Sequence, residues 1–124
     1  MYRTVEERLT FMENEMNRQA FQIRLLHAII KNSDKAGLYE LIVELKLSEQ
    51  TFKDLKRLTT IFEERLQDGF SVTLSSFIQH VETIFERNHE HVQFQDVSHF
   101  IPRWLGGVYG TKGFSSILHK HFYS

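Results

Sequence analysis

Seven histidines occur in this 124-residue chain, and four of them form two His-x-His pairs, His89-x-His91 and His119-x-His121. Imidazole binds metals and titrates near neutral pH, so these pairs are the first candidates for chemistry. Glu82 and Glu86 lie one turn apart upstream, and Glu86-Arg-Asn-His89 has the Glu-x-x-His spacing of di-iron bundles. Ligands of that kind must project into a bundle core. If Val81 is placed at zero, the apolar stripe of this segment centres near 20°, whereas Glu82, His89 and Glu86 fall at about 100°, 80° and 140°. They stand on the flank or outside, and a second Glu-x-x-His is missing. The histidines are expected to be solvated or partly packed, and no metal ligand is assigned.

Other constellations are weaker. Gly106-Gly107-Val-Tyr-Gly110-Thr-Lys112-Gly113 has the composition of a phosphate loop. The Walker pattern needs four residues between Gly and Gly-Lys-Ser/Thr, after a strand. Here Lys112 follows Thr111 and precedes Gly113, so a helix–turn–helix connection is expected. Ser75-Ser76 and Ser115-Ser116 sit near helix starts, where serine caps. No Gly-x-Ser-x-Gly elbow exists. With no cysteine there is no thiolate nucleophile, thiolate metal site or disulfide. The expectation is a non-enzymatic protein with no catalytic residue and no cofactor.

Nucleic-acid binding is the main rival reading. Residues 38–58 can be laid out as helix, turn, helix, with Ser48 opening a recognition helix that bears Gln50, Thr51, Lys53, Lys56 and Arg57. Glu49 and Asp54 share that surface, which weakens any attraction to phosphate. A basic C-terminal region is the alternative contact. Residues 97–124 carry Arg103, Lys112 and Lys120 and no acid, a charge of +3. Residues 1–96 carry 12 bases and 16 acids, 12 − 16 = −4, and the whole chain is −1. Trp104 and Tyr109 could stack on bases beside those cations.

The elements that must position all this are helices. Apolar residues at 41% and charged residues at 25% are ordinary for one globular domain. One proline and eleven phenylalanines argue against disorder. No basic start leads into an apolar run, so no signal peptide is expected, and no apolar window reaches membrane length. A cytoplasmic location is expected.

The clearest element is the first, Met1 to Lys31. Tyr2, Val5, Leu9, Met12, Met16, Gln19, Ile23, Leu26 and Ile30 alternate three and four apart, a heptad seam with Gln19 as its polar member. Thr4 with Glu7 three residues on reads as a capping box. From Phe21 onward, Leu25, Ala28 and Ile29 add apolar surface on other faces. The second half is therefore expected to anchor in the fold, with Gln19 as the changeover, and the first half to offer a stripe to a partner. A helix of 29 residues is about 43 Å long, against a diameter of roughly 35 Å for a compact domain of this size. The spacing predicts a homo-oligomer, dimer or trimer, through Tyr2, Val5, Leu9, Met12, Met16, Gln19, Ile23 and Leu26. Such an assembly is expected to act by binding another protein.

Residues 34–124 then read as a helical bundle. Ser33 or Asp34 caps a second helix to about Lys46, with Leu38, Leu41, Ile42 and Leu45 on one face. Ser48 caps a third to about Gln67, burying Phe52, Leu55, Leu58, Phe62 and Leu66, and Asp68-Gly69 stops it. Thr73 or Ser71 caps a fourth, striped by Leu74, Phe77, Ile78, Val81, Ile84 and Phe85. Residues 88–96 read as a connection. Asp96 or Ser98 starts a short helix through Trp104, the later start being preferred because Pro102 fits only a first turn. Thr111 caps a last helix in which Phe114, Ile117, Leu118, His121 and Phe122 share a face. The fold class is all-α, with five or six helices in one domain.

Five stretches carry a family resemblance: Val5-Glu-Glu-Arg-Leu9, Leu38-Tyr39-Glu-Leu-Ile, Leu47-Ser48-Glu, Gly69-Phe70 and Leu118-His-Lys-His-Phe122. In these the chain resembles the YhaI-like family of small bacterial proteins. The resemblance implies an all-helical fold and homo-oligomers of intertwined long helices, and it carries over no active-site residue.

Overall fold

The computed structural model describes residues 4–30, 36–92, 94–107 and 112–123. Among these residues six helices follow one another: α1 (Val5–Ile30), α2 (Ala36–Glu44), α3 (Glu49–Gln67), α4 (Leu74–Arg87), α5 (Phe94–Gly106) and α6 (Ser116–Tyr123). Among the described residues there is no strand. The expected caps Ser33, Asp34 and Thr111, together with Tyr2, Tyr109 and the side chains of Ile29, Ile30 and Leu38, lie outside what the structure describes.

Local chemistry sets several helix starts. Thr4 Oγ1 accepts from the Glu7 amide at 3.0 Å, Ser48 Oγ from the Thr51 amide at 3.3 Å, and Thr73 Oγ1 from the Ser76 amide at 3.1 Å. Each satisfies one of the orphan N–H groups of a first turn. The helix ends share one device as well. After α2, α3 and α4 a single residue takes a left-handed conformation: Lys46 at φ 55°, Gly69 at φ 87° and His89 at φ 56°. The next amide then reaches back to a carbonyl five residues earlier, Leu47 to Ile42, Phe70 to Arg65 and Glu90 to Phe85. Only at Gly69 does the residue type suit the conformation. A β-carbon is disfavoured at positive φ, so His89→Gly is expected to stabilise the fold by about 0.5–1 kcal/mol. Thermal denaturation should show a rise of about 2–4 °C; a fall would mean that the His89 side chain does something for the fold.

The core is one apolar cluster that takes residues from every helix, from Phe21 and Leu25 of α1 to Leu118 of α6. α1 packs on α2, α3 on α4, and α5 on α6, with α5 also touching α4 and α2. Trp104 stands at the centre, with no exposed surface. Its ring stacks on Phe114 at 4.2 Å between centroids and on Phe100 at 5.6 Å, and Phe52 meets it edge-on at 5.8 Å. Its Nε1–H donates to Thr59 Oγ1 at 2.9 Å, so the indole is paired as well as packed.

Three expectations are corrected. The fifth helix starts at Phe94, not at Asp96 or Ser98, and carries Pro102 well inside it. A proline there removes one i to i−4 bond, normally a cost of about 3 kcal/mol. Burial of Val97, Phe100, Ile101, Trp104 and Leu105 along one stripe holds the helix through it. The last helix starts at Ser116, and its cap is Ser115, whose Oγ accepts from the Leu118 amide at 3.0 Å. The glycine-rich turn before it closes back on α5. Phe114 N donates to Trp104 O at 2.9 Å and Ser115 N to Leu105 O at 3.1 Å. A β-carbon at Gly113 would run into the Leu105 carbonyl, so glycine is required there by close approach.

The third correction concerns α1. The second half anchors as expected, the anchoring contacts falling between Arg18 and Ala28, but the seam does not turn inward with it, so the helix is divided around its circumference as well as along its length. Phe21 and Leu25 are 5% and 7% exposed, and Ala28 is half-buried. Arg18 Nη1 donates to Lys46 O at 2.7 Å and Gln22 Nε2 to Leu47 O at 3.4 Å, satisfying carbonyls just beyond the end of α2. Arg24 pairs with Glu49 at 2.9 Å, and Phe21 meets Phe52 at 5.6 Å. These anchors lie on one face. Ile23 and Leu26, expected to anchor, lie on the other and stay exposed.

Candidate functional site

Six of the exposed large apolar side chains line up along the seam of α1. Val5 is 70% exposed, Leu9 54%, Met12 56%, Met16 66%, Ile23 54% and Leu26 45%, and Gln19 is exposed with them. At 100° per residue the seam centres roughly 155° from the anchoring face of Arg18, Phe21, Gln22, Leu25 and Ala28. The globule therefore holds α1 from behind and turns the whole seam to solvent, Ile23 and Leu26 included. Isolated apolar residues on a surface are ordinary, but six in one stripe are not. Their exposed area is on the order of 600 Å² per chain, so two copies would bury about 1,200 Å², the lower edge of a specific interface.

The second assembly of note is polar and joins the start of α3 to the end of α4. Glu90 Oε1 accepts from the Ser48 amide at 3.0 Å and from Thr51 Oγ1 at 2.8 Å. Asn88 Nδ2 donates to Thr51 Oγ1 at 3.1 Å and to Asp54 Oδ2 at 3.0 Å. Asp54 also accepts from Gln50 at 2.8 Å and from Arg87 at 3.0 Å. Burial pushes the Asp54 carboxyl up, but the hydrogen bonds of Asn88, Gln50 and Arg87 and the Arg87 charge outweigh it. The group stays below its ordinary value of 3.8.

The sign of the pH effect follows. A lowered folded pKa stabilises the fold above the unfolded value, and that contribution is lost as pH falls through the folded one. Asp54→Asn is expected to cost about 1–2 kcal/mol at neutral pH. The gap between the melting temperatures of wild type and variant should close as pH drops below about 4. A gap that is constant with pH would remove the charge from the account. A cleft of about 400 Å³ opens beside this network, with Phe11, Asn14, Arg18, Ser48, Gln50 and Asn88 among its walls. Arg18, Ser48, Gln50 and Asn88 already bond to protein groups, so the network reads as a clasp between helices.

The remaining candidates are scattered. Thr51, placed by sequence on a recognition helix, is buried. Gln50 bonds Asp54, Lys53 lies 3.7 Å from Glu49, and Lys56 sits over the Phe52 ring at 5.2 Å. α1 lies across the start of α3 through Arg24–Glu49 and Phe21–Phe52, where a recognition helix must be open. Arg103 borders a groove with Glu44 and Asp96, while Lys112 and Lys120 are exposed on the turn and on α6. Trp104 is not available to stack on a base, because it is the centre of the core.

Of the paired histidines, His89, His91 and His121 are exposed and His119 is half-buried. His89 ends α4, the His119 ring lies against Gly106 and Tyr123, and His121 Nε2 lies 3.0 Å from Val72 O. Among the described residues no group of three or more His, Asp or Glu side chains is placed to hold a metal ion. None of the described helices is long and apolar enough to cross a membrane. Sequence reasoning missed the Thr51–Asp54–Asn88–Glu90 clasp, whose members are 34 to 39 residues apart across α3 and α4; no short-range pattern signals it.

No protein-family model matches the chain, and no solved structure matches it. A relative does: the "Uncharacterized protein YqxJ" of Bacillus subtilis (strain 168) is 34% identical over 121 residues, covering 98% of each chain. The similarity thus runs through α1 and the bundle alike. The chain belongs to the family of Bacillus subtilis YqxJ.

Proposed function

We propose that this is a cytoplasmic, non-enzymatic protein that works by protein–protein association, with α1 of one copy packed seam to seam on α1 of another. The observation that carries this reading is the exposed stripe of Val5, Leu9, Met12, Met16, Ile23 and Leu26 on a helix anchored from its opposite face. The occupant that fits is a second copy. A heptad seam is complementary to itself, and two of them bury enough surface for a specific contact. The assembly, a dimer or trimer, would then present its bundles to another protein. The same kind of assembly is what the resemblance to YhaI-like proteins implies. The nucleic-acid alternative keeps three cations but loses Trp104 as a stacking platform.

Size-exclusion chromatography with light scattering tests the proposal. A mass of two or three chains is expected at roughly tens of micromolar, in the range of ordinary specific interfaces of this size. A single-chain mass at that concentration would sink it.

A further inference from the structure

We infer that two copies pair with their α1 helices parallel and in register, so that Gln19 of one faces Gln19 of the other. This rests on the association proposed above and adds its geometry. With the observed face as the seam, Leu9, Met16 and Ile23 occupy a positions, and Val5, Met12, Gln19 and Leu26 occupy d positions. In a parallel pair each d layer meets the same layer of the other helix. The two Gln19 amides then face one another and can exchange hydrogen bonds, donor to acceptor.

An antiparallel pair sets a against d. Overlapping the two seams fully places Leu9 opposite Leu26 and Met12 opposite Ile23, and it leaves Gln19 opposite Met16. Each amide would then be buried against a thioether, a weak acceptor and no donor. That happens in two layers instead of one.

The flanks agree. Arg8 is a g position and Glu13 an e position, and both are exposed. In the parallel register, Arg8 of each copy reaches Glu13 of the other, five residues on, so symmetry makes the pair twice, and such flanking pairs set orientation. The antiparallel register gives them no such meeting. Ile23 at a with Leu26 at d is also the choice that favours two strands.

One pattern points the other way. All four acids of α1, Glu6, Glu7, Glu13 and Glu15, lie in its first half, while Arg18 and Arg24 lie in its second. Antiparallel packing would bring unlike halves together. Arg18 and Arg24 are, however, already engaged on the anchoring side, with Lys46 O and Glu49. Charges so placed are screened beyond about 8 Å in physiological salt, so the contact pairs at the seam decide.

The chain has no cysteine, which makes the test direct. Met12→Cys, Thr10→Cys at an exposed position turned away from the seam, and a mixture of Met12→Cys with Ile23→Cys are oxidised mildly in the full chain, and the products are read on non-reducing gels. Far-ultraviolet circular dichroism checks that each variant keeps its helices. In the parallel pair the two thiols of Met12→Cys share a layer and bridge. In the antiparallel pair they stand about 16 Å apart along the axis, beyond the roughly 7 Å Cα separation a disulfide spans. Nearly complete covalent dimer from Met12→Cys, with little from Thr10→Cys, is the expected result. Bridging that needs the mixture of Met12→Cys with Ile23→Cys overturns the orientation, as does equal bridging at Thr10→Cys. A light-scattering mass of three chains overturns the pair while keeping association. A single-chain mass overturns association itself, so the two failures are told apart.

Discussion

Met12→Asp combined with Met16→Asp is expected to turn the assembly into a monomer with unchanged helix content. Both side chains lie mid-seam, more than half exposed in the single chain. Substitution there touches nothing in the bundle, since the anchoring face lies on the opposite side of α1. In the assembled state the double change sets uncompensated carboxylates into the apolar seam and removes two thioether side chains from each chain. Burial of unpaired charge of this kind costs at least about 3–4 kcal/mol, or two to three orders of magnitude in dissociation constant. Light scattering across a dilution series measures it. An unchanged mass with intact circular dichroism would show that the seam is not the contact. Thr10→Asp, at an exposed position turned away from the seam, is expected to leave the mass unaltered.

Trp104→Ala is expected to be the most damaging single change to the fold. The ring has no exposed surface and contacts Phe52, Phe100 and Phe114, so its loss opens a cavity bordered by α3, α5 and the turn before α6. Truncation of a buried tryptophan costs about 3–5 kcal/mol, against a total stability of about 5–15 kcal/mol for a domain. The melting temperature should fall by about 10–20 °C. Trp104→Phe keeps most of the stacking and gives up the bond to Thr59, for a smaller loss of about 1–2 kcal/mol. Trp104 is the one tryptophan of the chain, so its fluorescence reports the wild-type transition directly. Thermal denaturation orders the three proteins, and a loss below about 1 kcal/mol for the alanine variant would contradict a central role.

Much of the architecture is legible in the sequence alone. Ser48 and Thr73 cap because a hydroxyl beside a first turn satisfies amides within three residues, a purely local event. Asp68-Gly69 stops α3 for the same kind of reason, since only the backbone nearby is involved. The stripes of α3 and α4 follow from period alone, and Leu55, Leu58, Phe62, Phe77, Val81, Ile84 and Phe85 are buried as their spacing requires. Pro102 departs from its local preference for an equally physical reason. Its local penalty favours a helix that starts late, but five buried side chains along α5 outweigh it.

The seam of α1 shows where sequence stops and tertiary structure takes over. The three-and-four alternation from Val5 to Leu26 determined that these residues share one face, because a helix has 3.6 residues per turn whatever surrounds it. It could not determine which apolar face of the same helix the globule would take. Phe21, Leu25 and Ala28 form a second, shorter stripe, and periodicity does not say which of the two is buried. The choice was made by groups far along the chain. The carbonyls of Lys46 and Leu47, the Glu49 carboxylate and the Phe52 ring hold one side of α1. That contact places the seam, Ile23 and Leu26 included, in solvent. Spacing along a chain is a property of the helix, but facing is a property of what packs against it.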